Sequence, residues 1–199
     1  MGILIQSQPR RATWLGILTG VILLALSCSS LAAPSGNRRR AAPERLKAVF
    51  IHNFATTTKW PVNAFAEDKA PFTVGLLESK ALEAPLLEAF NGLKIHGHAV
   101  EVRLLKSLDE ARTCHLVFVS RREPSALKAA CVAVAGRPVL LVTEQPGALA
   151  AGSVLNLWQT ADDAIRFEFN QASMKRAGVE VSPDVIELAQ PNPQTGGAQ

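Results

Sequence analysis

Three short apolar runs constrain this chain most: Phe72–Leu77 (FTVGLL), residues 115–119 (HLVFV) and residues 138–142 (PVLLV). None alternates polar with apolar residues. A strand written this way is covered on both faces. Helical stretches lie between the runs. Residues 82–90 place Leu82, Leu86, Leu87 and Phe90 on one side and stop at Asn91-Gly92, and residues 124–134 form a second helix before Gly136. Apolar strands alternating with helices predict a parallel sheet with helices on both faces. The expected fold is α/β, a three-layer sandwich with a mostly parallel, Rossmann-like sheet. It is not a dinucleotide domain by motif, because Glu78-Ser79-Lys80 follows the first run where a glycine-rich turn belongs.

The flanks complete the pattern. Residues 43–58 read as a helix with Pro43 in its first position and an apolar stripe of Leu46, Val49, Phe50 and Phe54. Trp60-Pro61 ends it. Residues 98–105 alternate Val100, Val102 and Leu104 with Glu101 and Arg103, as a half-buried strand does. Residues 107–112 form a brief helix. Residues 153–158 and 165–170 form a C-terminal antiparallel hairpin at the sheet edge, with Asp162-Asp163 in its turn. Helices 171–177 and 182–189 follow, the last with Ser182 as cap and Pro183 in its first position. Residues 191–199 are expected to be a disordered tail.

The first 33 residues read as an address. Arg10 and Arg11 precede a nearly uncharged stretch from Trp14 to Ala33 that ends in small residues, the layout of a secretory signal peptide. The stretch is also long enough for an uncleaved anchor, and Cys28, after Ala25-Leu26-Ser27, gives a third reading as a lipidated cysteine. All three readings place the domain outside the cytoplasm, in the periplasm of a Gram-negative cell. Residues 34–43 form a basic linker and residues 44–190 the domain. Without the first segment the chain keeps 19 basic and 17 acidic residues, a net charge of +2. Nucleic-acid binding has no support from so small an excess.

Cys114 and Cys131 are the pair left in the domain. A five-residue strand rises about 16 Å, and seven to ten helical residues descend about 10–15 Å. Cys131 therefore returns near the height of Cys114, and a disulfide is expected between them, with two separate buried thiols as the alternative.

Few residues carry catalytic chemistry. His96 and His98 could share a strand face and pinch a metal, but a turn leading into a strand is the plainer reading, and no metal or cofactor is assigned. Ser120 follows an apolar strand without the glycines of a nucleophile elbow. No enzyme is expected. Ligands of open α/β sheets bind at the carboxyl ends of the strands. There the sequence places Ser120, Arg121, Arg122 and Thr143, candidates for a small anion or nucleotide, with a solvated basic turn as the plain alternative. Phe50, Phe54 and Trp60 are candidates for a partner or dimer face, or for core.

An ordered set of segments carries a resemblance. FIHNFATTTKWP (50–61) leads to FTVGLLES (72–79), then CHLVFVS (114–120) and GRPVLLV (136–142). Gly152, SVLNL (153–157), IRFEFN (165–170) and a terminal Leu188-Ala189 follow. Over about residues 44–190 the chain resembles the YfiR family of small exported bacterial proteins. The resemblance implies a dimeric periplasmic α/β protein that regulates rather than catalyses. It implies a partner in the periplasmic domain of an inner-membrane diguanylate cyclase or sensor kinase, and so an effect on cyclic di-GMP and biofilm. It also aligns Cys114 with one cysteine of the namesake's two disulfides.

Overall fold

The apolar runs become strands because each can bury both faces. The computed structural model describes residues 38–65, 67, 69–120 and 124–195. The elements run in the order α1 (Arg38–Thr57), β1 (Thr58–Lys59), β2 (Phe72–Leu77), α2 (Glu83–Ala89), β3 (Lys94–Ile95) and β4 (His98–Leu104). Then come α3 (Leu108–Ala111), β5 (Leu116–Val119), α4 (Pro124–Ala133), β6 (Leu140–Thr143) and α5 (Ala148–Ala151). The hairpin β7 (Leu155–Gln159) and β8 (Ile165–Phe169) follows, then α6 (Gln171–Ala177), β9 (Glu180–Val181) and α7 (Pro183–Glu187). The expected signal segment, Cys28 and residues 34–37 of the expected linker lie outside the described residues, as do residues 196–199 of the tail; residues 38–43 of that linker are instead the start of α1.

The main sheet has the order β3-β4-β2-β5-β6-β7-β8. Strands β4, β2, β5, β6 and β7 are parallel neighbours, with Val74 opposite Val102 and Leu116, and Val142 opposite Leu155. β8 closes one edge antiparallel to β7, and β3 closes the other antiparallel to β4. The expected three-layer, mostly parallel sandwich with its late hairpin is therefore the fold. β1 and β9 form a separate two-stranded ribbon.

The strands divide their side chains by parity, as the pleat requires. Leu116 and Phe118 join one core with Ile51, Phe54, Leu86 and Phe167, under α1 and α2. Val117 and Val119 join a second core with Ala130, Val134 and Leu141, under α3 and α4. Burial of a large aliphatic or aromatic side chain stabilises by about 1.5–3 kcal/mol, so these two layers hold the sheet between its helices.

Boundaries differ from expectation where single residues decide them. α1 begins five residues before Pro43, which lies inside the helix; it stands past the four N–H groups that have no intrahelical partner, so it removes one i→i−4 hydrogen bond. Ser182 precedes α7, yet its side chain makes no capping hydrogen bond. His96-Gly97 is a tight turn joining β3 to β4, both residues having positive φ (50° and 89°), as a two-residue hairpin of this kind demands.

Candidate functional site

The chain runs from β2 to β4 on one flank and then to β5 on the other, so the strand order reverses beside β2. A crevice opens at such a point. Here it is a cleft of 560 Å³ whose floor is the apolar ends of β2, β4 and β5 (Leu76, Leu104, Phe118). α1 supplies Glu44 and Lys47, the turn after β2 supplies Glu78, Ser79 and Lys80, and Ser120 and Glu144 stand at the ends of β5 and β6. Glu78 holds a left-handed backbone (φ 54°) as the chain leaves β2.

An ion pair dominates the cleft. Lys47 Nζ lies 2.6 Å from Glu144 Oε2, with the two side chains only 16% and 14% exposed. Lys47 also approaches Glu44 at 3.5 Å, and Ser120 Oγ donates to Glu144 Oε1 at 3.1 Å. The pair ties α1 to the carboxyl end of β6. Among the described lining residues, three carboxylates face two ammonium groups, so this part of the cleft has no excess of positive charge.

Of the two described residues expected to bind a ligand, Ser120 lines this cleft and Thr143 does not. Arg121 and Arg122 lie outside the described residues. Thr143 is fully buried, and its hydroxyl meets Asn156 Oδ1 at 2.8 Å, Ser153 Oγ at 3.0 Å and the Leu155 carbonyl at 3.3 Å. It is structural. A Thr at a strand end reads the same in sequence whether its hydroxyl faces a crevice or the next strand.

Thr143 begins a buried polar chain that the sequence did not reveal. Asn156 Oδ1 also accepts from the Gln145 backbone N–H at 2.9 Å, and its Nδ2 donates to Glu168 Oε1 at 2.7 Å. Gln145 Nε2 donates to the Ser120 carbonyl at 2.6 Å. Glu168 Oε2 in turn accepts from the Asn192 backbone at 3.4 Å. Buried polar groups require such partners, and these connect the cleft to the segment after α7.

The amino end of the sheet holds three of the four histidines, His96, His98 and His115. His96 Nε2 contacts the Thr58 carbonyl at 2.8 Å and His98 Nδ1 the Ala70 carbonyl at 2.6 Å, so the two rings serve different loops rather than one ion. No group of three His, Cys, Asp or Glu suited to a metal occurs among the described residues. Phe65 stacks between His98 and His115, at centroid distances of 4.0 and 4.5 Å. Thr73 donates its backbone N–H to His115 Nδ1 at 3.0 Å. Burial holds the His115 imidazole at about 4, well below its ordinary pKa.

Cys114 and Cys131 are free thiols, and the expected disulfide is absent. Cys114 turns toward β2, where its Sγ lies against Gly75, and it donates to the Glu110 carbonyl at 3.4 Å. Cys131 turns the other way, toward Gly152 ahead of β7. The strand order places β2 and β7 on opposite flanks of β5. Burial pushes the Cys114 thiol up to about 11 and raises that of Cys131, so neither is an activated nucleophile.

The proposed partner face also changes. Phe54 is 1% exposed and packs on Phe167 at a centroid distance of 5.1 Å. Phe50 packs against the same core, and Trp60 Nε1 donates to the His115 carbonyl at 3.1 Å. These aromatics dock α1 and its following loop on the sheet. The exposed apolar side chains of α1 are instead Leu46 and Val49, with Leu87 on α2, the helix joined to α1 by the Arg45–Glu88 pair at 3.5 Å. Of the stripe read from sequence, Phe54 is buried and Phe50 partly so, while Leu46 and Val49 face out; Ala48, Ile51 and Ala55 complete the buried face.

A family model described as YfiR/HmsC-like matches residues 44–190. The chain belongs to the YfiR/HmsC-like family. The match begins on α1 and ends just beyond α7. It therefore includes both cores, the cleft and the buried polar chain as far as Glu168. No helix among the described residues is long and apolar enough to cross a membrane.

Proposed function

We propose that this chain is an exported regulatory binding protein that restrains a membrane-bound signalling protein, a diguanylate cyclase, from the periplasmic side. Family membership over residues 44–190 is the observation that carries this reading. The signal-like segment ending near Ala33 supports export. The protein acts as a homodimer, through contact rather than turnover. The exposed Leu46 and Val49 of α1, with Leu87 of α2, form the face offered to the periplasmic domain of the cyclase. Aliphatic side chains exposed together on adjacent helices suit a docking surface.

Capture from membranes tests this reading. The exported chain, immobilised, retains a transmembrane diguanylate cyclase, and the Leu46→Glu/Val49→Glu variant, folded by circular dichroism, does not. Recovery of no membrane signalling protein by the folded parent would overturn the proposal.

The cleft at the strand-order reversal favours a second reading, a small polar ligand held beside Ser120 and the Lys47–Glu144 pair. A ligand at about 100 times its dissociation constant stabilises by about 2.7 kcal/mol. A thermal-shift series of nucleotides and simple anions that leaves the transition unmoved removes this reading.

A further inference from the structure

A second cavity lies away from the strand-end cleft and takes no part in the proposed regulation. It has a volume of 250 Å³ and opens between the end of α4, the turn before β6, α5 and α6. Cys131, Val139, Leu141 and Val154 form its walls. The polar side chains at its edge are Ser173 and Arg176. Arg176 Nη2 donates to Ser173 Oγ at 2.8 Å, and among the described residues no carboxylate pairs with this guanidinium. The result is an apolar chamber with one cation at its rim.

We propose that this cavity binds a medium-chain alkyl carboxylate, its chain lying against Cys131, Val139, Leu141 and Val154 and its head on Arg176. The guanidinium fork matches a carboxylate in two parallel hydrogen bonds. An apolar cavity of about 150 Å³ accommodates benzene. On that scale 250 Å³ accommodates a chain of roughly ten carbons. Gly152 keeps the chamber open: a Cβ there would stand 3.5 Å from Cys131 Cβ and narrow the wall.

Calorimetric titration of the full chain with sodium hexanoate, octanoate and decanoate, each below its micelle threshold, tests the assignment. Saturable one-to-one binding is expected, with affinity rising about fourfold per methylene. Arg176 is solvent-exposed, so Arg176→Gln leaves the fold intact. That variant binds decanoate at least tenfold more weakly and decanol as the parent does. Decanoate also slows alkylation of Cys131 by N-ethylmaleimide at least fivefold, followed by peptide mass spectrometry. Absence of saturable binding, a flat chain-length series, unchanged decanoate affinity in Arg176→Gln, or unprotected Cys131 each overturns the proposal. Tighter binding of decyl phosphate than of decanoate overturns the choice of carboxylate.

Discussion

Replacing Gly75 with alanine puts a methyl group into a space that is already filled. Gly75 lies in the middle of β2, opposite Arg103 and Val117. A Cβ there would lie 2.8 Å from Cys114 Sγ, 2.8 Å from Leu105 Cδ1 and 3.1 Å from Leu105 Cδ2. Ordinary contact between such atoms is about 3.5–4.0 Å. Both neighbours belong to the core under α3 and α4, so neither can swing into solvent. Overpacking of this kind costs about 1–3 kcal/mol. Loss of glycine's freedom in the unfolded chain returns about 0.4–1 kcal/mol. The net expectation is a loss of about 1–2 kcal/mol, read as a lower urea midpoint with unchanged slope. A double-mutant cycle assigns the cause. In a Leu105→Val background, which removes both Cδ atoms, the alanine costs at least about 0.5 kcal/mol less. A Gly75→Ala protein as stable as its parent, or the same cost in both backgrounds, would refute the packing account.

The same contact makes Gly75→Cys a route to a disulfide with Cys114. Across a disulfide, Cβ lies about 3 Å from the partner sulfur, close to the 2.8 Å found here; mass spectrometry after oxidation should show a 75–114 bridge, with Cys131 still reactive. Asn156→Ala removes three hydrogen bonds at a fully buried position and takes from Glu168 Oε1 its Asn156 donor. It should destabilise by about 2–4 kcal/mol in urea unfolding, and a cost under about 1 kcal/mol would contradict the network. His115 predicts a pH dependence. Its unfolded imidazole takes a proton near pH 6.5, but the buried ring resists until about pH 4. Stability contributed by the neutral ring is complete above about pH 6.5 and is lost as pH falls toward 4, by about 3 kcal/mol in all. His115→Asn, which keeps an acceptor for the Thr73 N–H, should flatten that part of the stability profile.

Sequence reasoning succeeded where one residue type has one physical meaning along a run. Phe72–Leu77 can be little else than a strand covered on both faces, and the alternation of Ile165, Phe167 and Phe169 with Arg166 and Glu168 marks one edge of a hairpin. It failed where meaning depends on direction. The rise of β5 and the fall of α4 say nothing of flank, and Cys114 lies against Gly75 of β2 while Cys131 lies against Gly152 ahead of β7. The ribbon of β1 and β9 has two residues per strand, too few for any period. The Lys47–Glu144 pair spans 97 positions, and nothing local to either residue marks the other. Thr143 and Ser120 both end apolar strands, yet only Ser120 opens on the cleft.

Cellular cyclic di-GMP, measured in the source bacterium with and without this chain, tests the central claim most directly. Deletion should raise the nucleotide, and re-expression of the exported chain should return it to the parental level. The Leu46→Glu/Val49→Glu variant, present at equal abundance, should fail to do so. Levels unchanged by deletion, or full restoration by that variant, would contradict the account.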